Sequence, residues 1–286
     1  MIKSMTGFGK SVEQLPTKKI TIELKSLNSK SLDLNARIPS YYREKELNMR
    51  KTIAKVLLRG KVDFSLYLEM TAEETSTVIN KAVVTEYMNQ LREIQPNADD
   101  VELLKMVVRM PDSLKTEREE IDEKEFDVIE KALQHAISQL DEYRIAEGKV
   151  LEKDFLFRID NISTLLQKVI DMDDERMVSV KTRLRRALDD LKEQVDENRF
   201  EQELIYYLEK FDITEEKVRL ANHLDYFSKS LHSDDSNGKK LGFITQEIGR
   251  EINTIGSKSN YAPMQQLVVQ MKDELEKIKE QLLNVL

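Results

Sequence analysis

The hydrophobic positions of the 286-residue chain follow two different periods, with the change after the first quarter of the sequence. In that first quarter, apolar and polar residues alternate in short runs, which is typical of β-strands. The short polar connections between the first three runs favour antiparallel pairing. Residues 41–58, which precede the fourth run, have the spacing of a helix. The predicted strands are 5–12, 19–27, 32–38 and 62–70.

Beyond the fourth strand, apolar residues recur every three or four positions, which predicts helices for the rest of the chain. Two short helices are predicted over 80–94 and 101–110. The pattern over 124–195 is interrupted only at Gly148, and its length indicates extended antiparallel helices or a coiled-coil arm. The last ninety residues predict four more helices, over 198–211, 214–231, 239–255 and 263–283.

These patterns predict an α+β, helix-dominated fold in three parts. An N-terminal domain with an antiparallel sheet covers 1–123, a long helical arm covers 124–196, and a C-terminal helical domain covers 197–286. The composition, 40% hydrophobic and 34% charged, fits a soluble, helix-rich protein. The chain has neither a membrane-spanning apolar run nor the apolar stretch of a signal peptide, so we expect a cytoplasmic protein without membrane contact.

Residues 238–258 combine an apolar stripe with an unusual polar face. The stripe consists of Leu241, Ile244, Ile248, Ile252 and Ile255. Glu247, Arg250, Glu251 and Thr254 project together from another strip of the same helix. Two glutamates one turn apart repel unless a cation lies near them, and either Arg250 or a divalent metal would supply one. Such a strip is more often an exposed set of salt bridges than a site, so spacing alone leaves both interpretations open.

Two neighbouring features extend this strip. Residues 253–258 offer hydroxyls, backbone N–H groups and one lysine to a phosphate, although Gly256 is also an ordinary residue for ending a helix. In the preceding helix, Glu216, Arg219 and His223 share one face. A histidine in such a position is more often packed or exposed than catalytic.

Charge and rare residue types restrict the chemistry. A net charge of −8 argues against nucleic acid as a partner. Basic clusters over 50–61 and 181–186 soften that objection, because a ring of subunits would gather such a cluster into a positive channel. The absence of cysteine excludes disulfides, thiolate catalysis and zinc–thiolate sites. With three histidines, any metal site must be built mainly from carboxylates, which suits magnesium or manganese.

Several short motifs occur in the order that is typical of one bacterial family. They include Ser-Met-Thr-Gly-Phe-Gly-Lys at 4–10, Arg-Gly-Lys at 59–61, Glu-Gly at 147–148 and Asp-Ile-Thr-Glu-Glu at 212–216, with further segments at 23–30, 238–258 and 274–281. In this order, and over the whole chain, they resemble the YicC/YloC-like proteins. The resemblance implies a metal-dependent endoribonuclease or RNA-decay factor, working on single-stranded or structured RNA as a ring-like homo-oligomer, with a hexamer expected.

The resemblance also implies where the chemistry lies. Because the chain lacks a histidine pair and is rich in carboxylates, a metal-bound water using Mn²⁺ or Mg²⁺ is favoured over a base acting on the 2′-hydroxyl. The predicted catalytic residues are Glu247, Glu251 and His223, and the predicted metal ligands are Glu247, Glu251, Glu216 and Asp212. The predicted RNA contacts are Arg219, Arg250, Lys258, Lys239, Arg59 and Lys61. The alternative is a non-catalytic RNA-binding adaptor that presents RNA to the decay machinery.

Five positions depart from the family motifs. Lys10 and Lys239 stand where arginine is typical, which keeps the charge but removes the planar fork that binds phosphate through two hydrogen bonds. Gly242, Gly249 and Tyr261 stand where Asp, Asn and Asp are common. If the aspartates common at positions 242 and 261 bind metal elsewhere in the family, we expect a lower metal affinity or activity in this protein.

Overall fold

The computed structural model describes residues 2–57, 59–70, 78–115, 122–190, 197–233 and 238–286. The strands are β1 (Gly7–Gln14), β2 (Lys18–Leu27), β3 (Leu32–Arg37), β4 (Gly60–Met70), β5 (Val78–Ile79) and β6 (Leu114–Lys115). The helices are α1 (Glu46–Val56), α2 (Lys81–Ile94), α3 (Asp100–Val107), α4 (Glu123–Asp190), α5 (Glu197–Lys210), α6 (Thr214–Leu231), α7 (Gly238–Lys258) and α8 (Ala262–Leu282). The predicted α+β, helix-dominated class is confirmed.

The four-stranded sheet has the order β1-β2-β4-β3, which corrects part of the expected antiparallel pairing. The β1–β2 and β2–β4 pairs are antiparallel. Strand β3 instead pairs with β4 and runs parallel to it, so the short connection between β2 and β3 is not a hairpin. The chain passes from β3 to β4 through a 3-10 helix (Ser40–Lys45) and α1, and a connection of this length permits parallel pairing. The region predicted to be wholly helical also contains the short β5–β6 pair.

A single helix of 68 residues, α4, occupies the stretch for which antiparallel helices or a coiled-coil arm were expected. The helix continues through Gly148, where the backbone of Ile2 crosses it and leaves no room for a Cβ. Residues 126–140 of α4 pack on the sheet, whereas residues 155–169 pack on the C-terminal helices. The helix is therefore shared by two hydrophobic cores. The domain limits at 123 and 196 stay predictions, and residues 191–196 lie outside the described part of the chain.

Helices α6, α7 and α8 form the C-terminal core together with the second half of α4. The apolar stripe predicted for α7 is buried along its whole length. Helices α6 and α7 are antiparallel, because Lys258 contacts Glu216 at one end of the pair and Lys240 lies over the ring of Tyr226 at the other. No helix in the described residues combines the length and the apolar character needed to span a membrane.

The two ends of the chain join the two cores. The backbone of residues 3–5 pairs with that of residues 284–286, with N–H···O distances of 2.7 and 3.0 Å. Buried Arg144 of α4 donates hydrogen bonds to the carbonyl oxygens of Met5 and Arg59, at 3.1 and 3.4 Å. These contacts hold the start of β4 against the C-terminal helices.

Candidate functional site

Lys258, the last residue of α7, is held against the start of α6. Its Nζ donates to Glu216 Oε1 at 2.7 Å and to the backbone oxygen of Asp212 at 3.0 Å. Glu216 is buried, whereas 32% of the Lys258 side chain is exposed. An ammonium group has three N–H donors, so Lys258 keeps one for a phosphate oxygen. The structure thus brings three of the predicted site residues together.

Asp212 lies just before α6 and is oriented by its neighbours. Its Oδ1 accepts hydrogen bonds from the hydroxyl of Thr214 at 2.7 Å and from the Thr214 N–H at 2.9 Å. The hydroxyl bond is the main cause that lowers the pKa of the Asp212 carboxyl, with the charges of Lys217 and Lys258 contributing. Asp212 is therefore ionised at neutral pH, but its carboxylate serves the start of the helix, and only its backbone oxygen reaches Lys258.

A buried arginine beneath this cluster escaped the sequence-based prediction. Arg176 of α4 donates to the carbonyl oxygens of Phe211 at 2.9 Å and of Lys258 at 3.5 Å. These carbonyls lie at the C-terminal ends of α5 and α7, where the helix dipole favours a cation. Arg176 therefore fixes three helices around Lys258. It occupies an apolar stripe position between Val169 and Val180, and a charge in that stripe is the signal that would have found it.

Two buried carboxylates of this face have unused hydrogen-bonding capacity. Glu216 Oε2 has no hydrogen-bond partner, and Glu251, 8% exposed, forms no hydrogen bond or ion pair with another described residue. Because α6 and α7 are antiparallel, Glu251 and half-buried His223 lie at the same level of the helix pair. Each is seven residues, about 10 Å of helix, from the Glu216–Lys258 contact. A buried acceptor without a partner is costly, so Glu216 Oε2 lowers the stability of this region.

The two arginines predicted to hold phosphates lie in exposed ion pairs. Arg250 contacts Glu247 at 2.6 Å across one turn of α7, and 71% of the Arg250 side chain is exposed. Arg219 pairs in the same way with Glu215 on α6. Exposed pairs of this kind are worth about 0–1 kcal/mol, so both guanidinium groups exchange partners at little cost. The pairing that the spacing indicated is present, and the phosphate contacts stay predictions.

The four carboxylates predicted as metal ligands do not form one ligand set. Over the part of the chain that the structure describes, no three Asp, Glu or His side chains lie close enough together to share a metal ion. Glu216 instead contacts Lys258, and Glu247 contacts Arg250. These residues do not fit a closed metal centre within one chain, and the role of a metal stays a prediction.

A second cluster of cations lies in a groove between the sheet domain and helices α7 and α8. The groove has a volume of about 560 Å³, and its cations are Lys30, Arg59, Lys239 and Lys279. The side-chain amide of Asn28 donates to the carbonyl oxygen of Leu283 and joins the two walls. Arg59 and Lys239 were predicted as RNA contacts, whereas Lys30 and Lys279 were not. Lys61, also predicted, lies on the exposed side of β4, outside the groove.

Two family models together cover most of the chain. The endoribonuclease YicC-like N-terminal region matches residues 2–153, and the endoribonuclease YicC-like C-terminal region matches residues 169–286. The chain belongs to this family. The probable endoribonuclease YicC of Clostridioides difficile (strain 630) is 32% identical over 292 residues, and that of Haemophilus influenzae is 28% identical over 287 residues. Each alignment covers 100% of both proteins, which confirms the resemblance.

Three positions that depart from the family motifs have different surroundings. A Cβ added at Gly242, in the groove, would meet no atom within 4 Å. A Cβ at Gly249 would lie 3.2 Å from Leu275 Cδ2, because α7 and α8 approach closely there. The hydroxyl of Tyr261 donates to Glu175 Oε1 at 3.0 Å, which ties the α7–α8 connection to α4. Positions 249 and 261 thus serve packing, whereas position 242 is open space.

Proposed function

We propose that the protein is an endoribonuclease whose active surface is the α6–α7 face. This face consists of Asp212, Glu216, Arg219, His223, Glu247, Arg250, Glu251 and Lys258. The observation that carries the proposal is the position of Lys258. Its ammonium group is fixed by two acceptors, the buried carboxylate of Glu216 and the backbone oxygen of Asp212. The full-length similarity to two proteins named as probable endoribonucleases gives the reaction class. A labelled RNA incubated with the purified protein and manganese should be cut internally, and intact RNA would contradict the proposal.

The roles of the residues follow from their surroundings. Lys258 binds a phosphate oxygen near the scissile bond with its remaining donor. The carboxylate of Glu251, which is 8% exposed, accepts a hydrogen bond from a ribose 2′-hydroxyl, which an RNA has and a DNA lacks. His223, at the level of Glu251, orients the attacking water or the leaving oxygen. The corresponding expectation is that DNA of the same sequence is not cut.

We also propose that activity depends on Mn²⁺ or Mg²⁺, because Glu247 and Glu251 place two carboxylates one turn apart on α7. Since the described residues do not close a ligand set, no step of the reaction is assigned to the metal. Cleavage should vanish in EDTA and return when manganese or magnesium is added in excess. Full activity in the chelator would contradict the metal dependence.

An RNA-binding adaptor is the second candidate, and the charge distribution favours it. Four cations line the groove, apart from Glu216 and Glu251, the groups that the proposed cleavage would need. Binding needs only the cations. RNA that is bound tightly by wild type, and cut by neither wild type nor Glu251→Gln in manganese, would identify the adaptor.

We propose further that the protein acts in the cytoplasm as a homo-oligomer, with a hexamer as the expected state. The exposed Ile205 and Tyr206 on α5 offer apolar surface for contacts between subunits. Light scattering at micromolar concentration should give a multiple of the chain mass. A mass near 33.4 kDa, that of one chain, would contradict the oligomer.

A further inference from the structure

We infer that the groove between the sheet domain and helices α7 and α8 is a second RNA-binding subsite, which holds backbone phosphates away from the α6–α7 face. This inference rests on RNA being the ligand under the proposed function. The groove draws on four segments that are distant in sequence: the β2–β3 connection, the start of β4, the start of α7 and the end of α8. No single sequence motif contains it.

The groove lies on a different side of α7 from the proposed active surface. Lys239, Gly242 and Gln246 lie at i, i+3 and i+7 and line the groove. Glu247 and Glu251 lie on the opposite flank of the buried stripe, and Arg250, four residues after Gln246, lies between the two flanks on the exposed side. One helix therefore presents two polar flanks, and an RNA strand that reaches both would be held at two points.

The charge of the groove favours phosphate. Its described lining contains four cations and no carboxylate, in a chain whose net charge is −8. Within the described residues, Lys30, Arg59 and Lys239 take part in no ion pair, and Lys279 pairs with Glu276, which lies outside the lining. Unpaired cations in a concave surface concentrate anions from solution. Their spread over four segments suits a ligand with several separated negative charges, which is the pattern of a nucleic acid backbone.

Gly242 lies in the groove and adds no charge to it. A carboxylate at this position would neutralise part of the groove. In this chain a Cβ at position 242 would meet no atom within 4 Å, so glycine leaves both space and uncompensated charge. The vacancy also permits a test, because a side chain can be added there without displacing a neighbour.

The test compares Gly242→Asp with Gly242→Asn, which have nearly the same shape and differ in charge. Binding of a fluorescein-labelled single-stranded oligouridylate is measured by anisotropy with the full chain. We expect Gly242→Asp to weaken binding by about tenfold, because the new carboxylate repels phosphate, and Gly242→Asn to change it less than about twofold. Equal affinities for the two variants would overturn the inference.

A lysine pair gives an independent measurement that does not depend on position 242. Replacing both lysines (Lys30→Gln with Lys239→Gln) should weaken RNA binding by about tenfold or more. The slope of the logarithm of the binding constant against the logarithm of the salt concentration should become shallower by about 1.4, or about 0.7 for each lost phosphate contact. The matched control is Lys149→Gln with Lys272→Gln, which removes two exposed lysines outside the groove. Thermal melts confirm that each variant is folded. If the groove pair and the control pair bind alike, the groove is not an RNA subsite.

Cleavage assays on the same variants separate this inference from the proposed function. If wild type cuts RNA and the groove variants bind it normally, the inference alone fails. If wild type cuts no RNA while the groove variants lose binding, the nuclease proposal fails and the subsite stands. If wild type neither binds nor cuts RNA, both the inference and the proposed function fail.

Discussion

The two polar flanks of α7 differ in how their charges are balanced. On the α6–α7 face, Arg219, Arg250 and Lys258 each pair with a glutamate. In the groove, by contrast, Lys30, Arg59 and Lys239 take part in no ion pair within the described residues. The first surface carries more acidic than basic side chains and would repel an RNA backbone that approached it alone.

Under the proposed function, this difference separates the surface that attracts RNA from the surface that would carry the chemistry. Paired charges and buried carboxylates fix a few groups in definite positions, which is what a reaction requires, but they attract phosphate weakly. Unpaired cations attract phosphate strongly and with little geometric demand. An acidic protein can therefore bind RNA when the attraction and the chemistry lie on separate flanks of one helix.

The largest effect is expected at Arg176, which supports only the α6–α7 flank. Replacing this buried cation by leucine (Arg176→Leu) leaves the carbonyl oxygens of Phe211 and Lys258 without their donor, and Asp173 loses a 2.8 Å contact. We expect the free energy of unfolding to fall by about 3–5 kcal/mol, as is typical when one member of a buried charged network is removed. Urea unfolding, followed by circular dichroism, measures it.

Arg219→Leu is the matched control, because it removes an arginine of an exposed pair on the same flank. Its effect should be about 0–1 kcal/mol. If Arg176→Leu were as mild as this control, Arg176 would not organise the three helices. Preserved binding of single-stranded RNA by Arg176→Leu, under conditions where it is folded, would sharpen the comparison by assigning affinity to the groove.

The second-largest effect is expected at Glu251, which we propose takes part in the cleavage reaction. Glu251→Gln keeps the size of the side chain and removes its charge, so folding should change little. Loss of a carboxylate that acts in cleavage lowers the rate by about a hundredfold or more, and RNA affinity should stay within about threefold. Single-turnover cleavage and anisotropy measure the two quantities. A cleavage rate equal to that of wild type would remove Glu251 from the reaction.

Sequence periodicity predicted the features that depend on one element. The buried stripe of α7 and the Glu247–Arg250 pair both follow from residues three or four positions apart, which helical geometry fixes in advance. The pairing of β3 with β4 was missed, because the choice between neighbouring strands depends on where α1 carries the chain. The 68-residue helix was expected as extended antiparallel helices or a coiled-coil arm, because periodicity alone does not show whether a long helical pattern turns back on itself.

Features that depend on several elements escaped prediction, because the sequence does not show how elements that are distant in the chain pack against one another. Arg59 and Lys239 were selected from motifs, but only the fold shows that they share a groove with Lys30 and Lys279. Periodicity likewise gave no register between α6 and α7, so the pairing of Glu216 with Lys258 could not be foreseen. Conversely, the predicted set of metal ligands assumed a convergence of carboxylates that the described residues do not form.

The third effect concerns Lys258, the most firmly held cation of the α6–α7 flank. Lys258→Gln removes a charge-assisted contact to phosphate, so RNA affinity should fall by about tenfold. Glu216 then loses its 2.7 Å partner in a buried position, which should also lower the free energy of unfolding by about 1–3 kcal/mol. Combining Lys258→Gln with Glu216→Gln should recover stability but not RNA affinity. Recovery of both would mean that Lys258 serves folding alone.

The smallest effect is expected at Arg250, for which the structural and the functional interpretations predict different RNA affinities. Arg250 is 71% exposed and bound to one glutamate, so Arg250→Ala should lower the free energy of unfolding by about 0–1 kcal/mol. If the guanidinium also contacts phosphate, its loss should weaken RNA binding by up to about fivefold and make the slope of log binding constant against log salt concentration shallower by about 0.7.

The comparison variant is Lys229→Ala, which breaks a similarly exposed pair with Asp225 on the far side of α6. A salt titration of RNA binding, with thermal melts of both proteins, decides between the interpretations. If Arg250→Ala matches Lys229→Ala in affinity and salt dependence, the Glu247–Arg250 contact is a surface salt bridge, and affinity for RNA comes from the groove.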